Sequence, residues 1–252
     1  MYKKSRKIIA IAIAIAIAMA IVIAMRRESF TAVEQDVKGL NRLDAIIYIN
    51  LDTRTDRKRE IESELERMGV DKTKIIRFPA VYEKYNGHLG CAKSHLAVIQ
   101  LIKNSDYQNA LILEDDFLFT GTKENVNSSI DYFFDNYKKW DCVSLVGSFQ
   151  ASTKIDDKIH KVKYHTGSIA YIVNNNGFYD KLEEDLQSSV NKLTKNRKKF
   201  IQKHGEKKKQ YTDSNALNQH WGTLQKKSNW YIFIPHLGKH NNNASSNIMQ
   251  SI

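Results

Sequence analysis

The stretch Ala110-Leu111-Ile112-Leu113-Glu114-Asp115-Asp116-Phe117 constrains this chain more than any other. Its apolar residues read as a strand buried in a sheet, and that strand ends by delivering three consecutive carboxylates. Acids packed this closely repel one another unless something neutralises them, and a divalent cation is the usual partner. A hard cation at the carboxyl end of a buried strand, with positions left open for phosphate, points to chemistry on a nucleotide-linked substrate. The competing reading on spacing alone is a solvated turn after a strand. Neighbouring side chains on an extended strand face opposite ways. Glu114 and Asp116 are therefore the expected pair, and Asp115 the acid turned away from metal.

Around this stretch, apolar runs alternate with amphipathic ones, which predicts an α/β fold. Ala45 to Leu51 reads as a buried strand, and Ile61, Leu65 and Met68 share one face of a helix that Gly69 stops. Lys74 to Phe78 is a short strand. Gly90 opens a helix carrying Leu96, Ile99 and Ile102 inward. Val126, Ile130, Phe133 and Tyr137 mark the next helix. Strands are expected at Cys142–Val146, Ser168–Val173 and Trp230–Ile234, with a helix around Phe178 and Leu182. The body fits one domain, residues 44–252, preceded by a polar stem over 28–43.

The start of the 252-residue chain has a different character. Residues 8–25 form an unbroken apolar run whose length, at about 1.5 Å per residue, just crosses a bilayer core as a helix. Lys3, Lys4, Arg6 and Lys7 precede it, and Arg26, Arg27 and Glu28 follow. By the positive-inside rule the N-terminus is expected in the cytoplasm and the body on the far side, a single-pass type II arrangement with residues 1–27 as tail and signal anchor. A cleaved signal peptide is the alternative.

The formal net charge of +11 is concentrated in two places. Six basic residues lie in the first 27, and residues 192–209 carry nine more against Glu206, leaving a mildly acidic body. The high pI is therefore no sign of nucleic-acid binding, and no nucleic-acid partner is expected. The basic segment reads as a solvated helix or loop, or as a surface for an acidic acceptor. Cys91 and Cys142 show no CxxC or zinc spacing and read as buried small hydrophobes or as a disulfide. Asn127-Ser128-Ser129 and Asn243-Ala244-Ser245 are sequons.

Five blocks occur in order: YINLDTRTDRKREI (48–61), GHLGCAKSHLAVI (87–99), ALILEDDF (110–117), HTGSIAYIVNNNGFYDKL (165–182) and WYIFIPHLGKHNNNASSNI (230–248). Together they resemble glycosyltransferase family 25, which includes lipopolysaccharide galactosyltransferases and the modules that glycosylate collagen hydroxylysine. The resemblance implies a GT-A-like nucleotide-binding α/β sandwich with a mixed central sheet. It implies transfer of galactose or glucose from a UDP-sugar, with inversion and with Mn2+, to a hydroxyl on a glycan, a lipid-linked acceptor such as lipopolysaccharide, or a protein.

Site residues follow from the blocks and their chemistry. Asn50 and Asp52 end the first strand where a base or ribose would sit. Arg54 or Arg57 could grip uracil or the diphosphate, although Arg57 also reads as a surface partner of Glu60. Lys93 and Ser94 follow Gly90, where free backbone N–H groups favour phosphate. The resemblance sets that block beside the donor, and without it His95 reads as a structural histidine. Glu114 is expected on the ribose or beside the metal and Asp116 on the metal itself, completed by His240, with His236 second. Here the sequence departs from the family, which often has Gln or a His-Gly-Asn-Gly run at this point and Asp where Asn247 stands. Asp213 is the candidate base for the acceptor hydroxyl and also reads as a helix N-cap.

Overall fold

The computed structural model describes residues 38–210 and 212–241. The apolar run Ala45–Asn50 becomes β1, which pairs in parallel with β2 (Ile75–Pro79) on one side and β3 (Asn109–Glu114) on the other. β8 (Ala170–Asn174) runs antiparallel to β3 and to β5 (Cys142–Ser144). β9 (Trp230–Phe233) lies parallel to β5, and the hairpin of β6 (Ser148–Lys154) and β7 (Ile159–Thr166) finishes the sheet. The order is β2-β1-β3-β8-β5-β9-β7-β6, a mixed sheet.

Helices cover both faces, which is why the central strands carry apolar residues on both of theirs. Ala45, Ile47 and Ile49 face the side packed by α2 (Gly87–Lys103) and α4 (Phe178–His204). Ile46 and Tyr48 face the side packed by α1 (Thr55–Arg67) and α3 (Lys123–Asn136). Two short helices, α5 (Leu217–His220) and α6 (Gly222–Lys226), join the α2/α4 side through Leu217 and Leu224. The mixed-sheet α/β sandwich, GT-A-like in kind, matches what the sequence implies.

The membrane part of the expectation is corrected. No helix among the described residues is long and apolar enough to cross a membrane. The longest, α4, exposes Lys192, Lys195, Lys198 and Lys199 on its outer side. The expected N-terminal transmembrane helix, its type II placement and the membrane as a partner are set aside on that finding. Residues 8–25, on which the expectation rests, lie outside the described residues, as do the 243–245 sequon and Asn247.

Other differences are local. Residues 39–43, expected as stem, pack into the body: Leu40 and Leu43 are buried, and Asp131 and Asn127 of α3 accept from the Gly39 and Leu40 N–H groups. The helix expected from Gly90 begins at Gly87, because Asn86 caps it by accepting from the Leu89 N–H. Residues 192–204 of the basic segment continue α4. There Arg197 is buried on the Leu186/Val190/Leu193 stripe and donates to the carbonyls of Glu206 and Lys208, folding the chain back after Gly205. Both cysteines are free.

A buried polar link ties three strands of the far half together. Trp230 Nε1 donates to Ser144 Oγ, which lies 2.9 Å from His165 Nε2, while His165 Nδ1 is 3.1 Å from the Thr166 carbonyl. A carbonyl only accepts, so Nδ1 carries the proton and Ser144 donates to Nε2. Burial holds this imidazole below its ordinary 6.5. The neutral ring therefore contributes stability that is full above that value and lost as pH falls from there toward the folded-state value, by up to about 1.4 kcal/mol per pH unit. In His165→Asn the decline in unfolding free energy between about pH 7 and pH 5.5 should be shallower than in the parent, read by urea titration. Leu43→Ala should lower stability by about 2–5 kcal/mol in the same assay, whereas a stem residue would change it by less than about 0.5.

Candidate active site

β1 and β3 are parallel neighbours, so their carboxyl ends lie side by side, with Ile49 opposite Glu114. Ligands of open α/β sheets bind at such strand ends. A cavity of about 470 Å3 opens here, and Glu114, Asp115 and Asp116 all line it. β3 stops at Glu114, and Asp115 and Asp116 occupy a turn, so the strict alternation of an extended strand does not govern where they point.

Each acid has its own surroundings. Asp115 accepts from Asn50 Nδ2 at 2.7 Å and from Arg57 Nη1 at 2.8 Å, with both side chains of the ion pair more than nine-tenths buried. Burial raises its carboxyl above the ordinary value, and Asn50 and Arg57 pull the other way. Asp116 Oδ2 lies 3.5 Å from the same Arg57 nitrogen, and Oδ1 lies 3.9 Å from His240 Nδ1. Burial opposes its ionisation most strongly, but His240 and Arg57 outweigh burial, and Asp116 is held below its ordinary value. The same carboxylate raises His240. Glu114 accepts from Ser168 Oγ at 2.8 Å and faces His95 Nε2 at 3.4 Å.

His240 reaches Asp116 through a two-stranded ribbon outside the main sheet. β4 (Phe117–Phe119), directly after the acids, pairs antiparallel with β10 (Gly238–His240), and the Asn241 N–H donates to the Asp116 carbonyl. Glycine is required at 238, because a Cβ there would fall 2.0 Å from a Phe117 ring carbon. His236, the second choice, lies before this ribbon, with its carbonyl accepting from Thr120 Oγ1.

The remaining expected residues divide into those on the cavity and those behind it. Arg54 and Arg57 line it, yet Arg54 binds Asp56 and Arg57 binds the acids. Asn50 is a bracket behind Asp115 that also takes Arg77, and Asp52 is an exposed partner of Arg77. Lys93 pairs with Glu83. Ser94 is on the wall, but its hydroxyl accepts from the Val81 N–H and donates to the Gly90 carbonyl. Since α2 starts at Gly87, the free N–H groups lie one turn before these two residues. Asp213 does not line this cavity. It lines a second hollow beside α4 and accepts from Asn196, Gln210 and Asn215.

Two cavity residues outside the expected set now enter the site. Cys91 and His95 offer ligand atoms that, with a Glu114 oxygen, all lie within 4.8 Å of one another, a group able to hold a metal ion. Their four-residue spacing on one helix was the available signal. Arg57→Met should lower stability by about 3–5 kcal/mol at neutral pH in urea unfolding, because Asp115 stays buried without its counter-charge. A loss below about 1 kcal/mol would mean that solvent, not Arg57, neutralises the pair.

Among solved structures, a glycosyltransferase involved in the glycosylation of the major capsid of PBCV-1 is similar at 14% identity, with 80% of this chain and 93% of that chain covered and a TM-score of 0.42. A mannose-1-phosphate geranyltransferase from Thermus thermophilus is similar at 10% identity over 75% of this chain and 72% of that one, with a TM-score of 0.38. The glycosyltransferase GlyE of Streptococcus pneumoniae is similar at 11% identity over 75% and 45%, with a TM-score of 0.38. No curated protein matches. Residues 85–180, which supply α2, the acids and Ser168, match the model of glycosyltransferase family 25 (LPS biosynthesis protein), and over those residues the match supports the resemblance carried by the ordered blocks.

Proposed function

We propose that this chain transfers a hexose, galactose or glucose, from a UDP-sugar to a hydroxyl of a glycan, lipopolysaccharide or protein acceptor, with inversion and with a divalent cation such as Mn2+. The observation that carries this reading is Asp116 Oδ1, a buried oxygen on the cavity wall that accepts no hydrogen bond and lies 3.9 Å from His240 Nδ1. A buried carboxylate oxygen without a donor is costly unless a cation meets it, and a carboxylate with an imidazole suits Mn2+. Asp116 and His240 would hold that ion. When bound it would neutralise the diphosphate and stabilise the departing UDP.

The chain's own residues supply the rest. Arg57 fixes Asp115 and Asp116 in place, so the acids are positioned before substrate arrives. The amino end of α2 at Gly87, with Lys84 and Lys209, lines the same cavity and favours an anionic diphosphate there. Tyr82, 68% exposed at the wall, offers a face for a planar base to stack on. The cavity volume is in the range that encloses a small organic ligand. Asp213, already accepting from Asn196, Gln210 and Asn215, suits holding the turn over 213–215 better than taking a proton from the acceptor.

The test is UDP release from UDP-galactose and UDP-glucose by the purified protein with and without Mn2+. Metal-dependent release is expected. Asp116→Asn should lower it about 100-fold or more with an unchanged circular dichroism spectrum, and His240→Ala about 10- to 100-fold. Full turnover in Asp116→Asn would remove that residue from the chemistry. Failure to bind UDP or to hydrolyse any UDP-sugar would end this reading.

A further inference from the structure

His95 is buried to 1% exposure, and its Nε2 makes no hydrogen bond although it faces the cavity. A buried ring nitrogen in that condition needs an explanation. Two neighbours sit in front of it: Glu114 Oε1 at 3.4 Å and the Cys91 thiol one helical turn away, and one ligand atom from each of the three residues lies within 4.8 Å of the other two. Sulfur, imidazole nitrogen and carboxylate oxygen together form a donor set that zinc prefers and that Mg2+ or Ca2+ does not.

The supporting shell is also in place. His95 Nδ1 is 2.8 Å from Tyr171 Oη, and the two rings stack with 22° between their planes, so the imidazole is fixed in orientation. Glu114 Oε1 accepts from Ser168 Oγ. Zinc ligands characteristically have such outer partners, the second nitrogen of a histidine above all. Burial, with the charges of Glu114 and Asp116, pushes the Cys91 thiol well above its ordinary value, so in the absence of a cation the sulfur keeps its proton.

We propose that Cys91 Sγ, His95 Nε2 and Glu114 Oε1 form a zinc site, separate from the Asp116/His240 pair and open to the cavity at its fourth position. Binding forms the sulfur–zinc bond as the thiol proton passes to solvent, with no change of oxidation state. Glu114 belongs to both the zinc site and the wall of the sugar-nucleotide cavity, so zinc bound here restricts what that carboxylate can offer a donor. The site stands whether or not the chain transfers sugar, because its test reads the metal directly.

That test is a titration of the purified, chelator-stripped full chain with Co2+, which substitutes for zinc and reports its ligands by absorption. The parent should show a near-ultraviolet thiolate-to-cobalt charge-transfer band together with the intense visible bands of a four-coordinate ion, and Zn2+ should displace both. Cys91→Ser should lose the charge-transfer band, and His95→Ala should weaken Co2+ binding at least about 10-fold. Asp116→Asn should keep the band. Circular dichroism of each variant separates ligand loss from misfolding, and Cys91→Ser, a near-isosteric change, is the decisive one. Absence of the band at excess Co2+, its persistence in Cys91→Ser, or its loss in Asp116→Asn with the fold intact would each overturn the proposal.

Discussion

The ion pair between Arg57 and Asp115 is the contact on which the site depends. Helices on both faces of the sheet leave the ends of β1 and β3 little water, so the turn after Glu114 places Asp115 where its charge needs a partner. Arg57 supplies it from the first turn of α1, and Asn50 completes it from the end of β1. Such a pair adds little net stability over an apolar substitute, because desolvation offsets most of the attraction. Its effect is positional. One guanidinium reaches both aspartates, so the carboxylate that faces His240 and the one that anchors the turn are set by the same group.

The sequence is most legible where burial on both sides imposes a composition. The runs that form β1, β3 and β8 have apolar residues on each face, and no solvated loop carries such runs. The ordered blocks bring Asp116 and His240 into one expected pair, and the ribbon of β4 and β10 places them 3.9 Å apart. The hairpin of β6 and β7 escapes a reading by pattern, because it forms the edge of the sheet and its strands mix Ser, Gln, Lys and His with apolar residues. The start of α2 is hard to place because Gly90 resembles an opening. The real determinant is the Asn86 side chain, and the Gly90 site is glycine because a Cβ there would meet the Val81 carbonyl at 2.6 Å.

Roles are harder to read than places. Asn50, Asp52 and Ser94 carry the chemistry expected to touch a nucleotide, and each is committed to a protein partner. Polar residues beside a ligand cavity and polar residues that brace its wall have the same composition, and only the direction of each side chain separates them. Asp213 shows the same ambiguity, since acidity alone does not distinguish a proton acceptor from a group that gathers the amides of its own turn. Cys91 and His95 go the other way: each taken singly reads as structural, and their meaning appears only when Glu114 comes from another element to face them.

The ribbon of β4 and β10 gives the site a history as well as a shape. Asp116 and His240 are separated by most of the folded chain, and they meet through a pairing only three residues long. Closing so long a segment carries an entropic penalty that three residue pairs offset only after the main sheet exists to hold β4 in place. The Asp116–His240 pair is therefore complete only once β10 has docked on β4. A chain in which β10 has not docked can have its sheet and its buried ion pair, but not the imidazole opposite Asp116.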